Sequence, residues 1–394
     1  MRKIIFIIIL LFMLMPVYAI SEVSITIGAS ANDATVFVYP DYKPYDDFFA
    51  DADEMKIVVY TFTDWRVADL LIDKDVTLMV EKSPAGGIKD KGILCYLDDN
   101  GVDVYLYDGP ARFMHAKYFI SGDEILVGTE NVGSSLNRGW GVIAGGAIVN
   151  EYNEIFRNDL SESKKLSDVI DCDEINIERN DNHKESRMYF EPKQYKDQEI
   201  RTIFSPDSLD EILSVIDDAE EFVYVQQFYI YKNWDSDVSP LLQALIEKSE
   251  QGLTVRVLLD STWYNEEKNG ETIAFLNDLD IEAKFIEDGY FEKSHVKGIV
   301  TDKAVVVSSI NWNENSVMNN REAGLIIEGE ASQYFKNIFM NDWYGYYETN
   351  TGNKVITTGL ITGSNVLYGG LFVLVVIVIG LITKKSFSVR RRRN

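Results

Sequence analysis

The chain of 394 residues predicts an α/β fold built from two copies of one unit. Three observations carry that expectation. Segments rich in β-branched and aromatic residues alternate with segments of helical spacing, the sequence overlays on itself at a shift of about 180 positions, and two of the only three histidines head matching His-x-Lys segments. Such alternation buries a sheet beneath helices on both faces. Self-similarity at a fixed offset marks a duplicated structural unit.

Taken in order, 58–60 aligns with 223–225, 76–80 with 255–259, and 97–104 with 276–283 at an offset of 179. Asp108-Gly109 then falls on Asp288-Gly289, His115 on His295 and Lys117 on Lys297, and Asn137-Arg138 on Asn320-Arg321. In the second copy, 209–218 has helical spacing, 222–230 reads as a strand and 238–250 as an amphipathic helix. Residues 254–259 read as a strand, 272–278 as helical and 281–285 as a strand. The hairpin 296–301/304–308, turning at Asp302-Lys303, follows the second histidine. The first unit spans 35–150 and the second 196–347. Between them, 151–195 is rich in Asp, Glu, Asn and Lys and reads as an acidic linker that holds a solvated His183.

The ends differ from the middle. Residues 1–19 carry a basic start, a short apolar run and small residues at Val17 and Ala19, as a secretory signal does. Residues 366–383 are 18 residues without a charge, just long enough for a bilayer-spanning helix, and 384–394 is a basic tail. With 348–365 as a stalk, the expectation is a single-pass type I protein of the cell membrane, its globular part outside. The whole chain has a net charge of −25, and the part between the two ends is more acidic still. A surface of that sign repels polyanions and disfavours a nucleic-acid partner. Cys95 and Cys172 are able to pair outside the cell, although Cys95 lies in an apolar segment and reads as a small buried hydrophobe.

The chemistry follows from the repeated residues. Two positions apart on a strand, His115 and Lys117 share a face, as do His295 and Lys297. Thr129 and Asn131, and Ser309 and Asn311, lie at the far end of each hairpin, where a turn returns them toward the histidine. Two such half-sites offer two imidazoles, two ammonium groups and neutral donors, which suits a phosphodiester held between them. One histidine attacks phosphorus and the other protonates the leaving oxygen. Neither cofactor nor metal is called for, and two half-sites in one chain make a monomer sufficient.

The repeated pattern HxKxxxxD, followed by a small hydroxyl residue and Asn, resembles the phospholipase D superfamily. The second copy matches in full through His295, Lys297, Asp302, Ser309, Asn311 and Asn320-Arg321-Glu322. The first has His115, Lys117, Thr129 and Asn131, but Gly122 stands for the motif's Asp, with Asp123 one place late, and Gly139 stands for Glu322. The resemblance covers roughly 35–347. It implies two tandem α/β/α sandwich domains related by a pseudo-twofold axis and a phosphohistidine intermediate. It also implies a carboxylate that orients each histidine: Glu322 for His295, with Asp123 or Glu130 as substitutes for His115. On that basis His295 is the nucleophile and His115 the acid/base. The substrate reading is a phospholipid headgroup ester, hydrolysed or transferred. A surface nuclease using the same residues, and a non-enzymatic binding protein with a decayed first half-site, are the alternatives.

Overall fold

Period-two alternation along the strands sets the layers. In the computed structural model, which describes residues 30–40, 43–85, 88–180, 190–287, 290–348 and 354–356, strand β2 (Glu54–Val59) turns Val58 to a central core and Ile57 and Val59 to an outer one. The first half adds β1 (Ser30–Tyr39), β3 (Asp75–Glu81), β4 (Asp103–Tyr107), β5 (Tyr118–Ser121), β6 (Glu124–Gly128), β7 (Gly139–Gly145) and β8 (Ser163–Lys165). Its longer helices are α1 (Lys43–Asp51), α2 (Trp65–Leu71), α3 (Ile88–Asp99) and α4 (Ile148–Ser161).

The second half adds β9 (Lys193–Ser205), β10 (Phe222–Gln227), β11 (Thr254–Leu259), β12 (Glu282–Phe285), β13 (Lys297–Thr301), β14 (Ala304–Ser308) and β15 (Glu322–Glu328). Its longer helices are α5 (Leu209–Asp217), α6 (Pro240–Glu250), α7 (Trp263–Asn277) and α8 (Ala331–Tyr344). There too the faces alternate: Ile299 and Val306 face the outer core, and Val300, Val305 and Val307 the central one.

All these strands form one 15-stranded sheet in the order β12-β11-β10-β13-β14-β15-β9-β1-β7-β6-β5-β2-β3-β4-β8. Outward from the antiparallel β1–β9 seam, both halves run through corresponding strands, and β8 is an addition to the first. The outer cores lie under α1–α3 on one side and α5–α7 on the other. The central core is shared. It holds Tyr152 and Phe156 of α4, Phe335 and Phe339 of α8, and Trp140, whose ring packs where a Cβ on Gly298 would lie, 2.1 Å from Cζ3. Helix α8 stops at Gly345, whose φ of 67° is the left-handed cap that glycine adopts without strain.

The ladders correct part of the self-alignment. Val58 pairs with Tyr118 and Gln226 with Gly298, so Val58 corresponds to Gln226 and Tyr60 to Phe228. The alignment of 58–60 with 223–225 was three residues out of register, because short apolar runs overlay almost equally well at neighbouring shifts. The offset of 179 for 76–80 and 255–259 agrees with the ladders.

The acidic linker is also corrected. Its first residues complete α4, whose Ile148, Val149, Tyr152 and Phe156 are buried, and β8 pairs with β4. Cys95 is no isolated hydrophobe: it bonds Cys172 and staples the following segment to α3. Closing a loop across 77 positions restricts the unfolded chain, so replacing both cysteines by serine is expected to cost about 4 kcal/mol. Urea unfolding of the two forms measures it, and an unchanged midpoint would refute it.

The single-pass type I placement is corrected as well. Among the described residues no helix is long and apolar enough to cross a membrane. The expected signal (1–19), span (366–383), basic tail (384–394) and His183 lie outside the described residues, as does Asp288-Gly289. Within the expected stalk, Lys354–Ile356 pairs antiparallel with Tyr346–Glu348.

Candidate active site

Each His-x-Lys segment enters its strand from the seam between the halves, and main-chain hydrogen bonds from the opposite half hold it there. The His115 N–H donates to the Arg321 carbonyl and the His295 N–H to the Arg138 carbonyl, both at 2.8 Å. In return the Arg321 N–H reaches the Phe113 carbonyl and the Arg138 N–H the Lys293 carbonyl, again at 2.8 Å. One residue earlier, the Met114 N–H donates to Glu81 (2.6 Å) and the Ser294 N–H to Asp260 (2.9 Å). Glu81 and Asp260 were not singled out in the sequence. The available signal was a lone carboxylate closing each of two apolar strands 179 positions apart.

The lysines are fully buried, and each donates to the carbonyl of its own histidine: Lys117 to His115 at 2.6 Å and Lys297 to His295 at 2.7 Å. Burial lowers the Lys117 pKa to about 8 and pushes Lys297 well below its ordinary value, with Lys117 adding to the shift on Lys297. The two half-sites therefore act on each other electrostatically.

The histidines take their carboxylates from across the seam. Glu322, expected above to orient His295, pairs with the other histidine: its Oε2 accepts from His115 Nδ1 at 2.7 Å and from the Ser309 hydroxyl at 2.5 Å. Its other oxygen accepts from the Ser316 hydroxyl and from Asn320 at 3.1 Å. Burial opposes the Glu322 charge, but His115, Lys117 and Ser309 outweigh it and its pKa lies below the usual value. His295 instead faces Glu130, with Nδ1 and Oε1 3.2 Å apart and neither aligned for a hydrogen bond, while Asn137 holds the other oxygen at 2.9 Å. The rings of Tyr60 and Phe228 meet the two imidazoles edge-on, at 5.1 and 4.6 Å.

Burial lowers the pKa of both histidines. For His295 it falls to about 3, Lys297 adding to the effect against the opposing pull of Glu130. For His115 the same burial is opposed by Glu322.

Both departures of the first motif now have structural reasons. A Cβ on Gly139 would lie 2.8 Å from Glu130 Cγ and Oε1 and from the Thr129 hydroxyl. The missing side chain is thus the space that Glu130 fills, and the carboxylate is relocated rather than lost. Gly122 (φ 55°) and Asp123 lie in the exposed turn between β5 and β6, so Asp123 supports no histidine. Asp302, in the matching turn, accepts from the Glu220 and Glu221 N–H groups at 3.0 Å each, at the end of β13 remote from His295. It is a structural cap, and the expectation that Asp123 and Asp302 support the site is corrected.

The remaining expected residues gather here with different tasks. Thr129 accepts from the Trp140 N–H at 3.0 Å, and Ser309 braces Glu322. Asn311 donates its main-chain N–H to the Ser316 hydroxyl at 2.9 Å. Among the described residues, the side-chain oxygens of Asn131 and Asn311 are buried with no hydrogen-bond partner. An amide placed so is able to turn either edge to a ligand. Beside the His295 ring, Phe228 is packed by Tyr264, next to Trp263, which is 84% exposed, and Lys293 lies over Phe228 and Tyr264.

A family model described as "Cardiolipin synthase, PLD-like domain" matches residues 212–343. A cardiolipin synthase of Geobacillus kaustophilus (strain HTA426) is 28% identical over 160 residues, covering 37% of this chain and 31% of that protein. A mitochondrial cardiolipin hydrolase of Canis lupus familiaris is 30% identical over 112 residues, 28% of this chain and 41% of the relative. The chain thus spans well under half the length of these relatives. Among solved structures, a phosphatidylserine synthase of Haemophilus influenzae Rd KW20 superposes with a TM-score of 0.60 at 12% identity, over 80% of this chain and 87% of that one. At that identity the likeness concerns the fold.

Proposed function

For a chain that belongs to the phospholipase D superfamily, we propose a two-histidine phosphodiesterase acting on a phospholipid headgroup ester, with two tandem domains of the family type (35–150 and 196–347) completing one site across a pseudo-twofold axis. The observation that carries the reading is the crossed pairing, His115 with Glu322 and His295 with Glu130, around two buried lysines. A decayed first half-site would not have kept a carboxylate for each imidazole.

His295 is the nucleophile. Burial and Lys297 keep it neutral, so its Nε2 lone pair is available. His115 is the acid, because Glu322 supports its imidazolium. In the first step His295 Nε2 bonds to phosphorus, the bond from phosphorus to the leaving alcohol breaks, and His115 gives that oxygen its proton. In the second, His115 takes a proton from water, the hydroxide bonds to phosphorus, and the P–N bond breaks. An acceptor alcohol in place of water gives transfer. Lys117, Lys297, Asn131 and Asn311 hold the nonbridging oxygens.

The names of the relatives favour a lipid substrate, and the aromatic residues near Phe228 support it: Trp263, Tyr264 and Tyr231 are exposed aromatics of the kind that settle at a lipid interface. Trp263→Ala with Tyr264→Ala is expected to lower hydrolysis of phospholipid vesicles about tenfold, the loss of two side chains that an interface withdraws only partly from water. Hydrolysis of a soluble aryl phosphodiester should stay within about twofold, since the change spares the chemistry. Equal losses on both substrates would remove the interfacial role. Cleavage of single-stranded DNA that falls in the same variant would favour the nuclease.

A further inference from the structure

We infer that Arg138 and Arg321 are positioning residues for the proposed reaction, each fixing the other half's histidine. The inference rests on the two-histidine reading. Each arginine makes the same three kinds of contact. Its main chain brackets the opposite histidine segment, as described above. One guanidinium nitrogen caps a strand end of its own half: Arg138 Nη1 donates to the Tyr39 carbonyl at 3.2 Å and Arg321 Nη1 to the Ser205 carbonyl at 3.1 Å. The rest of the guanidinium reaches an aspartate on the last helix of the other half. Arg138 bonds Asp342 through two separate N–H···O contacts, at 2.8 and 2.9 Å, and Arg321 reaches Asp159 Oδ1 at 3.1 and 3.0 Å.

Arg138 and Asp342 are both wholly buried, and Gln226 donates to the same carboxylate at 3.0 Å. A buried ion pair is a poor source of stability compared with an apolar pair of similar volume, but its two directed bonds fix distance and angle. The neighbouring residues show what that geometry serves. Asn137 holds Glu130 and Asn320 holds Glu322, so each Asn-Arg dipeptide grips a carboxylate with its first residue and the histidine paired with that carboxylate with its second. A slip of one residue along this bridge would turn the histidine away from its carboxylate.

The test uses the full chain carrying Arg138→Met with Asp342→Leu, which removes both charges without stranding either, and separately Arg138→Lys, which keeps the charge and loses the fork. Urea unfolding establishes that each is folded. With a soluble aryl phosphodiester, kcat is expected to fall about 10- to 100-fold, as for a displacement of about 1 Å at a reacting group, and KM to change little. The imidazole NMR signals give a second readout, resolvable with three histidines in the chain. The His295 signal should move relative to the parent and titrate at higher pH, because a loosened segment admits water.

Folded variants with the parent's kcat and an unmoved His295 signal would overturn the inference and leave the arginines as plain structural residues. Should the double variant fail to fold, Arg138→Lys decides by the same two readouts. A parent without turnover would count against the phosphodiesterase reading itself; the His295 signal would then decide the positioning role alone, displaced in support or unmoved against.

Discussion

Replacing either His115 or His295 by alanine is expected to lower kcat on any phosphodiester substrate by at least about 10³-fold, equivalent to about 4 kcal/mol of barrier. The two imidazoles act in sequence on one phosphorus atom, so their losses do not add. The double variant should be no slower than the slower single variant, the behaviour of groups that work as a unit. The fold should survive, since Glu322 keeps Ser309, Ser316 and Asn320 as partners when His115 is gone. A binding protein with a decayed first half predicts the opposite: no change on replacing His115. Steady-state kinetics on the two single variants and the double separates these outcomes.

The second large effect concerns the carboxylates, and it is unequal. Glu322 has four partners, His115 among them at 2.7 Å, whereas Glu130 meets His295 at 3.2 Å and out of line. Glu322→Gln is therefore expected to cost about 10²-fold in kcat, within the range of a general acid's whole contribution, and Glu130→Gln about tenfold. The pH profile supplies the sign. Glu322 raises the pKa of His115 against the effect of burial. Without that charge the proton leaves at lower pH, and the alkaline limb of the kcat profile moves down. Stability responds in its own window. The folded Glu322 pKa lies below its ordinary 4.5, so its contribution is full above that value and is lost as pH falls through the folded pKa. Glu322→Gln should flatten that acid-side loss. Equal effects from the two glutamates would contradict the asymmetry.

What the sequence disclosed and what it hid divide along physical lines. His115 and His295 were legible because histidine is scarce here and both copies keep the Lys two positions on. The strands were legible because both their faces meet a core, which leaves them as short runs of β-branched and aromatic residues. The crossed carboxylates were hidden because which half supplies Glu322 to His115 is decided at the seam, a tertiary contact with no period. Glu130 was harder still: the residue 180 positions later is the buried Ile310, so repeat symmetry points away from it. Its role shows only when Gly139 is seen to leave the space. Asp302 misled because it sits in the family's motif and yet caps a turn far from the histidine. The linker misled because the apolar face of α4 begins at Ile148, ahead of the polar stretch, and continues there only as Tyr152 and Phe156 among polar residues.

The most direct test of the two-histidine mechanism is to trap the intermediate. The full chain is mixed with a phospholipid or aryl phosphodiester, quenched in denaturing base, and digested, and the phosphorylated peptide is identified by mass spectrometry. An acid-labile, base-stable phosphoryl group on His295, absent from His295→Ala and accumulating in His115→Ala, is the predicted result. Sustained turnover with no phosphohistidine in any variant, or a phosphoryl group on a residue outside the two His-x-Lys segments, would contradict it.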